Sequence, residues 1–321
     1  MNRSFLPFIG LSQSGFLLLL FLLVLPEGSR ARNGFNLTKA IIPIDEIFQG
    51  GPPRDGIPSI DAPAFEKVDE ADWLKDEDLI VAVEVGDEQR AYPLRILVWH
   101  EIVNDTVGGT PLAITYCPLC GTAMTFSRVY DGKTLTFGVS GLLYQSDVLM
   151  YDRETESLWS QLAMKSLSGK FVEEELKWIP SRLQTWKSWK AEHPRGKVLS
   201  RKTGFQRDYD RMPYEGYEDR PETIFPVPEH RKELGNKEWI LGVRHGDASI
   251  ALPEKSLTSV AENGSSEVEI EVGGKGLLIQ YKVDSRAAKV TDRATGNELP
   301  VVHVYWFAWQ AFYPDTTLWQ P

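Results

Sequence analysis

The segment Leu74-Lys75-Asp76-Glu77-Asp78-Leu79-Ile80-Val81-Ala82-Val83-Glu84-Val85-Gly86-Asp87-Glu88-Gln89-Arg90-Ala91-Tyr92-Pro93-Leu94-Arg95-Ile96-Leu97 has a gap-free counterpart at residues 234–257, an offset of 160. Eight of the 24 aligned positions are identical: Leu74/Leu234, Ile80/Ile240, Val83/Val243, Gly86/Gly246, Asp87/Asp247, Ala91/Ala251, Pro93/Pro253 and Leu97/Leu257. These are the alternating apolar positions and the Gly-Asp turn that a strand–turn–strand unit needs. Leu79–Val85 reads as a strand, Gly86-Asp87 as its turn and Gln89–Pro93 as the return, with a short helix over Leu94–Asn104. After a five-residue insertion the match resumes, Val107-Gly108-Gly109 with Val272-Gly273-Gly274, then Leu112/Leu277, Ile114/Ile279 and Tyr116/Tyr281. Because the order of elements repeats along with the residues, we read an internal duplication. The expected fold is α+β and β-rich: two related lobes of short antiparallel strands, each with a small helix after its first hairpin.

Working outward, residues 73–202 form the first expected lobe and 233–321 the second. Between them, residues 203–232 are rich in Pro, Tyr and charge and read as a long crossing loop. Residues 32–72 read as irregular, punctuated by Gly50-Gly51-Pro52-Pro53 and Asp55-Gly56-Ile57-Pro58. Residues 1–31 read as a secretory signal peptide. Arg3 supplies the positive start, the apolar run is densest from Phe16 to Leu25, and Ser29-Arg30-Ala31 places small residues at a cleavage site. The protein is therefore expected outside the cytoplasm, periplasmic or secreted, touching a membrane only if that segment stays attached as an anchor.

The whole chain has 321 residues, 35 basic and 45 acidic, for a formal charge of -10. That balance excludes a nucleic-acid backbone as a partner. Two cysteines exclude a disulfide-dense scaffold and any four-cysteine zinc or iron–sulfur site. No phosphate loop, dinucleotide fingerprint or nucleophile elbow is present, so no nucleotide cofactor is expected.

The strongest local signal is Cys117-Pro118-Leu119-Cys120-Gly121, with strand-forming Thr115-Tyr116 before it and Thr122–Phe126 after it. Two thiols at this spacing can hold one metal ion or close a reversible disulfide. Haem attachment would need His directly after the second Cys, where Gly121 stands. His100 is the second candidate, an imidazole ligand or a base near the thiols. On a helix it would share a polar strip with Glu101 and Asn104. His303, in the aromatic run Val301–Phe312, and Asp147 are candidates for a further ligand. His193, His230 and His245 sit at a helix exit or in charged, turn-like contexts. The second copy of the repeat has Lys282 where the first has Cys117, so the chemistry is expected on the first.

In order along the chain come Gly50-Gly51-Pro52-Pro53-Arg54-Asp55-Gly56-Ile57-Pro58, His100-Glu101-Ile102-Val103-Asn104-Asp105, Thr115–Thr122, Phe137-Gly138-Val139-Ser140-Gly141-Leu142-Leu143-Tyr144, Met150-Tyr151-Asp152-Arg153, Leu158-Trp159-Ser160-Gln161 and Arg207-Asp208-Tyr209. This set resembles domain-of-unknown-function family 3179, over roughly residues 45–315. The resemblance implies an exported protein and carries no established activity.

These readings lead to three expectations. The first is a protein that binds copper or zinc through Cys117, Cys120 and His100, with His303 or Asp147 completing the site. The second is a thiol–disulfide oxidoreductase with Cys117 attacking and Cys120 resolving. The third is a binding module in which the cysteine pair is a structural disulfide. Whether the protein is an enzyme, and what its partners are, stays open at the level of sequence.

Overall fold

The computed structural model describes residues 31–228 and 231–321; apart from Ala31, the targeting segment lies outside them. It corrects the two-lobe expectation. Among the described residues the chain forms five sheets of four or five strands, which make a five-bladed β-propeller. We number the blades by their first strand in the chain. Blade 1 holds Ile47–Gln49, Phe137–Tyr144, Asp147–Asp152, Leu158–Ser160 and Lys165–Ser168. Blade 2 holds Phe65–Lys67, Leu79–Val85, Glu88–Pro93, Arg182–Thr185 and Lys197–Leu199. Blade 3 holds Ile102–Val107, Thr110–Cys117, Thr122–Ser127 and Trp178–Ile179. Blade 4 holds Trp239–His245, Ala248–Pro253, Val302–Tyr305 and Thr317–Leu318, and blade 5 holds Ser265–Val272, Lys275–Lys282, Ala288–Asp292 and Glu298–Leu299.

The repeated segments are real hairpins, but each builds part of one blade rather than the start of a lobe. Leu79–Val85 pairs with Glu88–Pro93 in blade 2, and Trp239–His245 pairs with Ala248–Pro253 in blade 4. The resumed match falls on the opening hairpins of blades 3 and 5. What closes a blade comes from far along the chain. Arg182–Thr185 joins blade 2 against Leu79–Ala82, about a hundred residues away, and no local pattern announces that pairing.

The run Ile80-Val81-Ala82-Val83 is buried throughout, because both faces of blade 2 are covered. Ile80 and Ala82 pack with Trp186 and Trp189, whereas Val81 and Val83 pack with Ile96, Leu97 and Tyr92. Among the described residues, four short α-helices flank the strands: α1 (Leu94–His100), α2 (Trp186–Glu192), α3 (Glu254–Ser259) and α4 (Trp306–Phe312). The indole pairs Trp186/Trp189 and Trp306/Trp309 are fully buried at i, i+3 spacing on α2 and α4. At about 200 Å² and 25 cal/mol/Å² each, such a side chain contributes roughly 5 kcal/mol before entropy.

α1 is shorter than the helix expected over Leu94–Asn104. Glu101 takes a left-handed conformation (φ 57°), and the β-branched Ile102 and Val103 enter a strand. Asn104 is therefore not on a helical strip with His100. Its side chain bonds Asp61 and the backbone of Phe137, tying blade 3 to blade 1.

Candidate metal centre

Cys117 ends one strand of blade 3 and Thr122 begins the next, so Pro118–Gly121 is a four-residue hairpin loop. Gly121 is required at its end. Its φ is +68°, and a Cβ there would lie 2.5 Å from the Trp239 ring and 3.2 Å from Tyr305. The loop is pinned from two sides. The Tyr305 amide donates to the Cys120 carbonyl at 2.9 Å. Beneath the loop, Thr122 donates to the Gln161 side-chain oxygen (2.7 Å), and Gln161 donates to Thr115 (2.7 Å), all three fully buried.

Blade 1 brings the third member. Its hairpin turns through Gln145 and Ser146, both with positive φ (50° and 66°), a two-residue turn usually given to Asn or Gly. This uncommon backbone aims the Ser146 carbonyl at the sulfurs, which donate to it from Cys120 (3.3 Å) and Cys117 (3.8 Å). The next residue is Asp147. One ligand atom from each of Cys117, Cys120 and Asp147 lies within 4.8 Å of the others, and all three residues are buried. Both thiols are free. The Asp147 Oδ2 accepts from the Leu162 amide (2.9 Å) and Ser160 (3.4 Å), while Oδ1 has no conventional hydrogen-bond partner.

Burial sets the electrostatics. It pushes the Asp147 carboxyl up to about 7, opposed by the Leu162 and Val148 amides, Ser160 and the Cys117 thiol. It pushes the Cys120 thiol well above its usual range, helped by the neighbouring sulfur and Asp147. Glu101 was missed as a site residue in its own right. Burial, and then repulsion from Asp147, raise its carboxyl to about 8. The segment 203–232 also contributes. Tyr214 lies within Coulombic reach of Glu101 and Cys117, and Tyr217 of both cysteines. The sequence offered one sign of Glu101, a single acid between the apolar Trp99 and Ile102-Val103. It offered none for the tyrosines, which only tertiary folding carries there.

Neither candidate histidine belongs to this cluster of ligand atoms. Both His100 nitrogens are engaged elsewhere: Nδ1 donates to the Pro58 carbonyl (2.7 Å), and Nε2 accepts from the Tyr209 hydroxyl (2.7 Å). Because a carbonyl can only accept, Nδ1 carries the proton, and burial keeps the ring neutral by lowering its pKa. His303 points Nδ1 at Glu254 (2.8 Å), which also binds Arg286 and Tyr281. His193 caps α2 and His245 is half-buried at a strand end, while His230 lies outside the described residues.

Comparison with known proteins bears out the family resemblance. Residues 54–316 match the family described as "Protein of unknown function (DUF3179)". Neither the curated proteins nor the solved structures contain a match to the chain.

Proposed function

The chain belongs to the DUF3179 family, whose function is unknown, and from that premise we propose that it is an exported protein holding one transition-metal ion through Cys117, Cys120 and Asp147. One observation carries this reading: the Asp147 Oδ1, fully buried and without a conventional partner, sits on an aspartate clustered with two free thiols. A buried carboxylate oxygen with no well-formed hydrogen bond is costly, and a cation is the partner that offsets that cost best. Two thiolates and one carboxylate suit zinc, which accepts sulfur and oxygen donors together; Cu(I) prefers the sulfurs alone. Zinc therefore replaces copper as the favoured ion. The ion would take up the charge left when the thiols lose their protons, so uptake strengthens as pH rises.

Burial weighs against thiol–disulfide exchange with a protein substrate, since Cys117 is 1% exposed and Cys120 0%. Among the described residues no helix is long and apolar enough to cross a membrane. Export remains part of the proposal and rests on the segment at residues 1–31.

The test is elemental analysis of protein purified without an affinity tag. About one equivalent of zinc per chain is expected, lost in Cys117→Ser and in Asp147→Asn. Metal-free protein that takes up neither zinc nor copper at pH 8 would overturn the reading.

A further inference from the structure

A cavity of about 180 Å³ adjoins the cysteine loop, with the exposed Ile224 in its lining. Its walls are apolar: Ile57, Leu119, Leu142, Leu143, Val148 and Phe225. Leu119, one of the two residues between the cysteines, lines it, so the cysteine loop forms one wall. Glu101 also lines it, and no Lys, Arg or His does among the described residues. Glu101 is 8% exposed, and its side chain makes no hydrogen bond or ion pair among the described residues. Its backbone is held in the left-handed region, an uncommon conformation for a glutamate.

A nearly buried carboxyl group that has no hydrogen-bond partner and faces an apolar chamber is half of a recognition site. The missing half is complementary in charge and shape. We infer that this cavity binds a small primary amine, with its ammonium on the Glu101 carboxylate and its hydrocarbon body against the apolar wall. The volume suits a body of about six carbons, since a cavity of about 150 Å³ takes benzene. Charge selects the class. An organic anion would meet the Glu101 carboxyl and, beyond it, the Asp147 charge that already repels Glu101. An alcohol would gain the walls and one hydrogen bond to the carboxylate, with no charge of its own to pair with it. An ammonium would gain the walls and a charge-assisted bond in a medium that screens it little. The inference makes no use of the proposed ion and stands or falls apart from it.

Cyclohexylamine, cyclohexanol and cyclohexanecarboxylate share one shape and differ in charge. Titrating each by calorimetry into chelator-treated full chain at pH 9, where Glu101 is ionised and an aliphatic amine still carries its proton, reads the selectivity. The amine is expected to bind at least about tenfold more tightly than the alcohol, and the carboxylate more weakly than either. Glu101→Gln is expected to cost the amine about tenfold and to leave cyclohexanol unchanged. The ranking on the unmodified chain tests the inference even if that variant does not fold. Equal binding of amine and alcohol, preference for the carboxylate, or no binding of any of the three would overturn it.

Discussion

Replacing Asp147 with Asn makes the metal-free protein more stable, and the gain grows with pH. The carboxyl titrates near 3.8 in water and near 7 in the fold, with burial as the main cause. Between those values the folded state holds a proton that the unfolded state has released. The stability contributed by this group is therefore fully present below about pH 4 and is lost as pH rises through 7. A difference of about three units, at about 1.36 kcal/mol each, makes the loss about 4 kcal/mol by pH 8. Asparagine carries no charge to desolvate, and its amide oxygen can keep the bond from the Leu162 amide that Asp147 Oδ2 now accepts. Denaturant unfolding of both proteins, with chelator present, from pH 4.5 to pH 8 reads the effect. The curves should nearly meet at the acid end and separate by several kcal/mol at the alkaline end, with the variant above. Added zinc should then reverse the order, because only the parent chain keeps the carboxylate ligand. A separation that stays constant within about 1 kcal/mol across this range would refute the account of Asp147 as a buried, poorly satisfied carboxylate.

Two other changes test the supports of the site. Gly121→Ala forces a left-handed backbone on a residue with a side chain and drives its Cβ into Trp239. The cost should be about 2–5 kcal/mol, seen as a lower urea midpoint; a loss under about 1 kcal/mol would show that the loop relaxes freely. Tyr209→Phe removes the hydroxyl that joins His100 to Thr203 and leaves the imidazole Nε2 without its donor. A loss of about 1–3 kcal/mol is expected, with faster amide exchange over residues 203–217; unchanged exchange there would mean that this bond does not hold the segment down.

How far the sequence could be read depended on the range of the interaction. The hairpins at residues 79–93 and 239–253 were legible because turn residues and alternation act between neighbours in the chain. Their assembly was not. The strands at 182–185 and 302–305 find their places across long intervals, so five blades looked like two lobes. The helix after the first hairpin was placed correctly at its start and too long at its end. Apolar periodicity continues through Ile102 and Val103, while the chain is turned at Glu101 by a backbone conformation that side-chain pattern does not encode.

By itself the sequence determined the chemistry available: two thiols placed to act together, few histidines, and a family membership written in ordered motifs. Which of these groups meet was left to long-range folding. Blade 1 delivers Asp147 to the sulfurs, while a proline carbonyl and a tyrosine hydroxyl occupy His100. The physical reason is that spacing constrains groups a few residues apart, whereas a site spanning two blades is fixed by strand pairing and core packing between distant segments.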